Sequence, residues 1–197
     1  MRTRVIARAR NHASVSAGMA LFVLFAQEIL GLGALGFGLI TTAFGVGGLA
    51  ASLVAARVSA ALGSSAALRL TLWGSAAALL VVGVSSDPFV VGPMLAVFGF
   101  LAVLWNVITV SLRQAIIPDR LLGRVNSVYR LLAWGSMPLG MAAGGGLVSA
   151  VEAGLGRAAG LRAPFLAAAL IYAGLLLYAR SRLSQRAIDE ARRGAPT

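Results

Sequence analysis

The sequence predicts an all-α fold, a polytopic membrane bundle of six transmembrane helices. Hydrophobic residues make up 59% of the 197-residue chain and charged residues only 12%, whereas a soluble domain has roughly a quarter charged residues. The charges fall in short clusters between long apolar runs, which is the pattern of segments that flank membrane spans. So few charges could not cover the surface of a soluble globule, and lipid is therefore the expected surrounding medium.

The spans follow from the apolar runs. A helix needs about 20 apolar residues to cross about 30 Å of hydrocarbon. The expected spans are residues 5–26, 36–56, 66–85, 89–111, 125–151 and 163–179. The connections are predicted to be loops, among them a polar loop at 112–124, a short one at 57–65 and a glycine-rich one at 152–162.

The first span is irregular. Its clean apolar part is Ala13–Ala26, and Arg8, Arg10 and His12 precede it. A secretory signal peptide is the alternative interpretation of this pattern. No clear small-x-small cleavage site follows, and the rest of the chain also reads as membrane-embedded. We therefore predict a first helix with an abnormal start, as a reading frame that begins inside a longer gene would produce.

The basic residues predict the orientation. All 17 are arginines. With the N-terminus inside, the outside loops hold only Arg157 and Arg162, and every other arginine lies in an inside segment. This positive-inside bias predicts a multi-pass protein of the cell (plasma or inner) membrane with both termini cytoplasmic. A membrane domain at 1–179 would then precede a cytoplasmic arginine-rich tail at 180–197, and the lipid bilayer is the first expected partner.

Composition argues against several function classes. The chain has no cysteine, no lysine and a single histidine, His12. We expect no metal or other cofactor, no P-loop and no Ser–His intramembrane protease, so the chain is not predicted to be an enzyme. Two glycine-rich matches to the dinucleotide fingerprint, at 31–36 and 45–50, follow or lie inside a membrane helix rather than joining a strand to a helix. No nucleic-acid partner is expected, because the arginines do not line one face of a folded domain.

Glycine and proline predict packing and movement. Gly45 with Gly48, and Gly140 with Gly144, have the spacing that lets helix backbones approach closely in lipid. Pro138 removes a backbone hydrogen bond and should kink the fifth span, as either a gate hinge or a static bend. The second and fifth spans are both glycine-rich, which suggests a 3+3 inverted repeat.

Four stretches resemble one family. These are LFAQEILGLG at 24–33, WNVITVSLRQ at 105–114, IPDRLLGRVNSVYRL at 117–131 and WGSMPLG at 134–140. They resemble exporters of the major facilitator superfamily (MFS), and most closely the enterobactin-exporter and macrolide-efflux branch. The resemblance implies helices seven to twelve of a twelve-helix fold, with an N-terminal six-helix half or a second copy as partner. It also implies that residues of the 112–124 loop belong to a cytoplasmic gate, with the candidates Arg113, Pro118, Asp119, Arg120, Gly123 and Arg124. A basic loop that contacts lipid headgroups is the plainer interpretation of the same residues.

Polar residues at membrane depth are costly and are therefore candidates for function. Asn106 and Thr109 share a helix face beside Trp105, and hydrogen bonds to a neighbouring helix or to the backbone are the plainer interpretation. Arg130 and Trp134 are spaced for a cation–π pair. The predicted substrate-cavity residues are Gln27, Trp105, Asn106, Thr109, Arg130 and Trp134.

The predicted function is transport, most simply efflux of a small molecule by an MFS-type secondary transporter of which this chain is a C-terminal half or fragment. The acidic residues lie at segment ends, in loops or in the tail, so a proton-coupling carboxylate is expected in the other half. The alternative is a truncated product without transport, or a helper subunit that packs against a full-length relative.

Overall fold

The regular secondary structure is helical throughout the described residues. The structure is a computed structural model that describes the backbone of residues 21–182. Residues 21–28 are helical and are called α1. The helices that follow are α2 (Ala34–Leu62), α3 (Ser64–Val84), α4 (Pro88–Ile116), α5 (Asp119–Gly135), α6 (Met137–Leu155) and α7 (Arg157–Arg182). The predicted all-α class is confirmed for this part of the chain.

Five stretches are long and apolar enough to cross a membrane. They are Ala34–Leu62, Ser64–Val84, Pro88–Ala115, Arg120–Leu155 and Arg157–Leu177. They correspond to the second to sixth predicted spans. The first predicted span, 5–26, lies mostly outside the described residues. Most of the predicted tail at 180–197 also lies outside them, because the described residues end at 182. The count of six spans and the 3+3 repeat therefore stay predictions.

Three of the connections are much shorter than the loops predicted for them. Gly63 alone joins α2 to α3, Ile117 and Pro118 join α4 to α5, and Gly156 alone joins α6 to α7. Gly63 and Gly156 have φ values of 75° and 84°, a conformation that glycine adopts at no steric cost. The prediction of loops at 57–65, 112–124 and 152–162 is wrong because the helices continue through nearly all of these polar residues.

The fifth predicted span consists of two helices, α5 and α6. They meet at Ser136, and Pro138 lies in the first turn of α6. A proline has no N–H to donate to the carbonyl four residues earlier, so the helical hydrogen-bond ladder is weakened at Trp134. Ser136 keeps helical φ and ψ values. Its N–H donates to the Leu132 carbonyl over 3.0 Å, and its carbonyl accepts from the Gly140 N–H over 2.9 Å. The kink at Pro138 therefore stays a prediction. Movement at this point stays a prediction.

Contacts divide the described chain into two units. Unit 1 contains residues 21–37 and 124–164, and unit 2 contains residues 38–123 and 165–182. Helices α3 and α4 lie wholly within unit 2 and α6 lies within unit 1. The functional residues are described below unit by unit.

The core of unit 2 is built from small and branched side chains of three helices. Its buried members are Ala51, Ala55, Ala67, Leu68, Leu104 and Ile108. A second cluster joins Leu72 of α3 to Leu176 of α7. Leu166 of α7 lies close to Gly83, at the other end of α3, so α7 runs antiparallel to α3.

Unit 1 has its own apolar contacts. Phe25 and Ala26 are fully buried, and the rings of Phe22 and Phe37 are 5.5 Å apart between centroids. After α1, the chain turns at Gly31, which has a φ of 65°, a conformation that glycine adopts at no steric cost. The Leu32 N–H donates to the Ala26 carbonyl over 2.9 Å, and the turn leads the chain to α2.

Candidate functional site

The closest helix contact in unit 2 joins α2 to α4 through glycine. A Cβ added to Gly47 would overlap the carbonyl group of Ala96, and one added to Gly99 would overlap the carbonyl group of Phe44. A Cβ on Gly48 would lie 3.1 Å from Cγ2 of Val103. These two backbones touch because glycine leaves no side chain between them. Gly48 was a predicted packing residue, but Gly47 and Gly99 were not.

The other predicted packing glycines make little or no contact. A Cβ on Gly45 or Gly140 would meet nothing within 4 Å in the described part of the chain. A Cβ on Gly144 would lie 3.9 Å from Cδ1 of Leu21, which is ordinary van der Waals contact. Packing roles for Gly45 and Gly140 stay predictions that would need a surface outside the described residues.

Trp105, a predicted substrate contact, lies on a cavity inside unit 2. The cavity has a volume of about 390 Å³ and is formed by α3, α4 and α7. Its lining includes Thr71 and Ser75 of α3, Leu101 and Trp105 of α4, and Tyr172 and Leu175 of α7. Sequence reasoning found Trp105 but missed the other polar members, because Thr71, Ser75 and Tyr172 stand alone in apolar runs.

The Thr109 side chain makes the backbone hydrogen bonds of the plainer interpretation, whereas the Asn106 side chain is exposed. The Thr109 hydroxyl donates to the backbone carbonyls of Trp105 (2.8 Å) and Asn106 (3.1 Å) within the same helix. Asn106 is exposed on α4. Neither residue lines the cavity beside Trp105, so contact of either residue with a substrate stays a prediction.

Gln27, Arg130 and Trp134 lie in unit 1 and are exposed. The cation–π pair between Arg130 and Trp134 stays a prediction. The two residues are four positions apart on α5. The predicted cavity residues are thus distributed over both units, and a single site made of all six stays a prediction.

The predicted gate residues lie on helices rather than in a loop. Arg113 is in the last turn of α4, where its Nε donates to the Thr109 carbonyl over 3.3 Å. Pro118 is in the connection, while Gly123 and the exposed Arg120 and Arg124 lie on α5. Asp119, the last of the gate candidates, is the first residue of α5. α5 is the least apolar of the long helices, as expected for a segment at the membrane surface.

Charge is separated between the two ends of unit 2. Arg57, Arg69 and Arg113 lie near the end where α2 leads into α3 and α4 finishes. The opposite end carries Asp87, whose carboxylate accepts from the Phe89 N–H over 2.8 Å and caps α4. A carboxylate at a helix N-terminus also interacts favourably with the helix dipole. One end of these membrane helices is therefore basic and the other acidic.

Unit 1 contains an ion-pair cluster that sequence reasoning missed. Arg157 donates from Nε and Nη2 to the two carboxylate oxygens of Glu28, both over 2.9 Å. Its Nη1 donates to Glu152 over 2.9 Å. The hydrogen bonds from Arg157, with its charge, lower the pKa of Glu28. Glu28 and Arg157 are 129 residues apart, so no local spacing links them. The sequence contained one indication that the two residues could meet: both lie in segments predicted to be on the outer side of the membrane.

These features define a class of protein. The apolar helices long enough to span a membrane, with charges gathered at their ends, make the chain a multi-pass helical membrane protein. A family model described as a transmembrane secretion effector (MFS_3) matches residues 2–194. The chain belongs to this family of MFS-type transporters. No curated protein and no solved structure matches the chain.

Proposed function

We propose that the chain takes part in the efflux of a small molecule across the cell membrane by alternating access. The observation that carries this proposal is the match to the transmembrane secretion effector model over residues 2–194. The five apolar stretches of spanning length agree with it. In alternating access, two helical bundles rock around a central binding site.

We further propose that this chain supplies the C-terminal bundle, of the enterobactin-exporter and macrolide-efflux type, and that it works with a second bundle. Only 6% of the most apolar stretch of Arg120–Leu155 is buried, compared with 50% for α3. Leu131, Leu132 and Leu139 are each at least two-thirds exposed. A second bundle would cover this surface, and either an N-terminal six-helix half or a second copy of this chain could provide it.

The proposed orientation places the basic end of unit 2 in the cytosol. The arginines of α2, α3 and α4 gather at that end, whereas Asp87 lies at the other. Arginine is retained on the cytoplasmic side of membrane spans. Both termini would then be cytoplasmic, and the Glu28–Arg157–Glu152 cluster would face the outside.

In the assembled transporter, the exposed polar residues Gln27, Asn106, Arg130 and Trp134 would face the second bundle or the substrate. Arg120 and Arg124 on α5 would lie at the cytoplasmic gate. These roles rest on the family resemblance and on exposure. They are testable only where transport itself can be measured.

Ethidium accumulation tests the proposal. Cells that lack their own major exporters would express this chain, a candidate six-helix half, or both. We expect lower accumulation only when both are present, and we expect Gly99→Leu in this chain to restore accumulation because it separates α2 from α4. Unchanged accumulation with every candidate half, and with a tandem of two copies, would contradict the proposal.

A helper subunit is the second candidate function. It is favoured by the open surface of α6, where a Cβ on Gly140, Gly145 or Gly146 would meet nothing within 4 Å in the described chain. Such a surface can accept another helix closely in lipid. In that case, co-expression would change the activity of a complete MFS relative, and Gly140→Leu would abolish the change. In the two-bundle proposal, the relative's activity would not change.

A further inference from the structure

The cavity beside Trp105 combines an apolar wall with hydrogen-bonding groups in the middle of the membrane. Ser75 lies 11 residues after the start of α3, or about 17 Å along the helix axis. That distance is about half of the hydrocarbon thickness. The 390 Å³ volume falls within the range of about 300–1,000 Å³ that is usual for small-molecule sites.

Three of the four polar side chains that line this cavity have no hydrogen bond within the described residues. Ser75 is only 2% exposed, and within the described residues its hydroxyl has no hydrogen bond. The indole nitrogen of Trp105 and the hydroxyl of Tyr172 also have no hydrogen bond within the described residues. Thr71 donates to the Leu68 carbonyl over 2.8 Å and keeps the capacity to accept. A hydroxyl that faces an apolar medium without a partner is unfavourable, so a polar atom from another molecule would stabilise the site.

We propose that this cavity binds a lipid-soluble, uncharged small molecule that has an apolar ring and one hydrogen-bonding group. An uncharged ligand is expected because no charged residue lines the cavity and a charge at this depth is expensive. A ring is favoured because two aromatic side chains, Trp105 and Tyr172, line the cavity. The polar group of the ligand bonds to Ser75. The site lies within unit 2, and binding there does not depend on transport.

A second cavity provides an internal control. It has a volume of about 400 Å³ and is also formed by α3 and α7. Its lining consists of Trp73 and aliphatic side chains, including Ala76, Leu166 and Leu170. Size and surroundings are therefore matched, but the second cavity has no hydroxyl group. Lipid chains satisfy such a surface fully, and we expect no selective ligand there.

Tryptophan quenching separates the two cavities. Two single-tryptophan variants of the full chain in nanodiscs would report on each cavity: Trp73→Phe/Trp134→Phe leaves Trp105, and Trp105→Phe/Trp134→Phe leaves Trp73. The probes are 4-bromophenol and bromobenzene, which differ by one hydroxyl group. We expect saturable quenching of Trp105 by 4-bromophenol alone. Quenching of Trp73 should rise linearly with either probe, as simple partition into lipid predicts.

The Ser75 hydroxyl is tested by Ser75→Ala, which removes the hydroxyl oxygen and adds no volume. Loss of one hydrogen bond should weaken 4-bromophenol binding by up to about tenfold, whereas Ala76→Val on the neighbouring cavity should leave it unchanged. Linear quenching of Trp105 by both probes, or equal affinity in Ser75→Ala, would overturn the proposal. If brominated acyl chains quench Trp105 as strongly as Trp73, a lipid chain fills the cavity and the proposal is also overturned.

A thermal shift on the unmodified chain covers the case in which the tryptophan variants do not fold. A ligand that binds only the folded state raises the melting temperature. We expect a larger rise with 4-bromophenol than with bromobenzene. An equal shift with both probes would contradict a site that recognises the hydroxyl.

Discussion

The α2–α4 pair in unit 2 and the α5–α6 segment in unit 1 are both rich in glycine, yet the structure uses the glycines differently. In the first, Gly47 and Gly99 allow direct contact between two backbones. In the second, Gly140 has open space around it within the described residues, and only 6% of the most apolar stretch is buried. Within the described residues, the chain thus supplies a close packing partner for α2, but not for Gly140 of α6.

This difference shows that glycine spacing identifies a helix that can pack closely, but not what it packs against. In lipid, association depends on close fit rather than on removal of apolar surface from water. A glycine without a backbone neighbour therefore contributes little until another helix arrives. The comparison predicts that substitutions in α2 act on stability and that those in α6 act on assembly.

The largest expected effect is that of Gly47→Ala. The new Cβ would overlap the Ala96 carbonyl, and a backbone group cannot move aside as a side chain can. We expect a loss of about 1–3 kcal/mol in the free energy of unfolding in detergent. Gly45→Ala on the same helix is the matched control and should be neutral or slightly stabilising, because its Cβ meets nothing. Equal losses for the two variants would show that α2 and α4 do not touch at Gly47.

The next effect concerns Gly140→Leu. The chain alone should keep its melting temperature, because the added side chain has open space. Affinity for a second bundle, measured by energy transfer between labelled halves in nanodiscs, should fall at least tenfold. Gly174→Leu, which is also open but lies on α7, is the control that should leave affinity intact. Equal affinity for wild type and Gly140→Leu would remove α6 from the interface.

A smaller effect is expected from Arg157→Gln in unit 1. The cluster is partly exposed, with side-chain exposures of 44% for Arg157 and 37% for Glu28. Exposed ion pairs contribute little and are screened by salt. The melting temperature should fall by less than in Gly47→Ala, and the fall should shrink at high salt. Arg130→Gln, which changes an exposed arginine of the same unit, should leave the melting temperature unchanged. An equal fall in both variants would show that the ion pairs of Arg157 do not stabilise the fold.

The smallest effect is a pH dependence that arises from Glu28. Hydrogen bonds from Arg157 lower its pKa in the folded protein. A depressed carboxyl pKa stabilises the fold above the unfolded-state pKa, and this contribution is lost as pH falls through the folded-state value. Between pH 7 and pH 3, wild type should therefore lose slightly more stability than Glu28→Gln. Parallel melting curves for the two proteins would contradict the ion pair.

Much of the fold could be predicted from the sequence, because long uncharged runs leave few alternatives to membrane helices. The five described spans follow from those runs. The prediction of loops at 57–65 and 152–162 was wrong. A polar composition does not reveal that a single glycine with positive φ, Gly63 or Gly156, is enough to make the turn between two helices.

The candidate site was harder to predict. Spacing along one helix suggested contacts for Thr109, but its hydroxyl binds the backbone of α4 itself. The Glu28–Arg157 pair and the cavity lined by Ser75 and Tyr172 depend on residues that are distant in the chain. Only the fold brings such residues together. Trp105 was found because a large amphipathic side chain at membrane depth is conspicuous in any context.

The most direct test of the account is the sidedness of the two ends of unit 2. The chain has no cysteine, so Ala61→Cys at the basic end and Ser86→Cys at the acidic end each provide a single label site. Both positions are exposed. In intact cells, a membrane-impermeant maleimide should label Ser86→Cys and should reach Ala61→Cys only after permeabilisation. Labelling of both positions from the same side would contradict membrane-spanning helices between them, and the reverse pattern would contradict the proposed orientation.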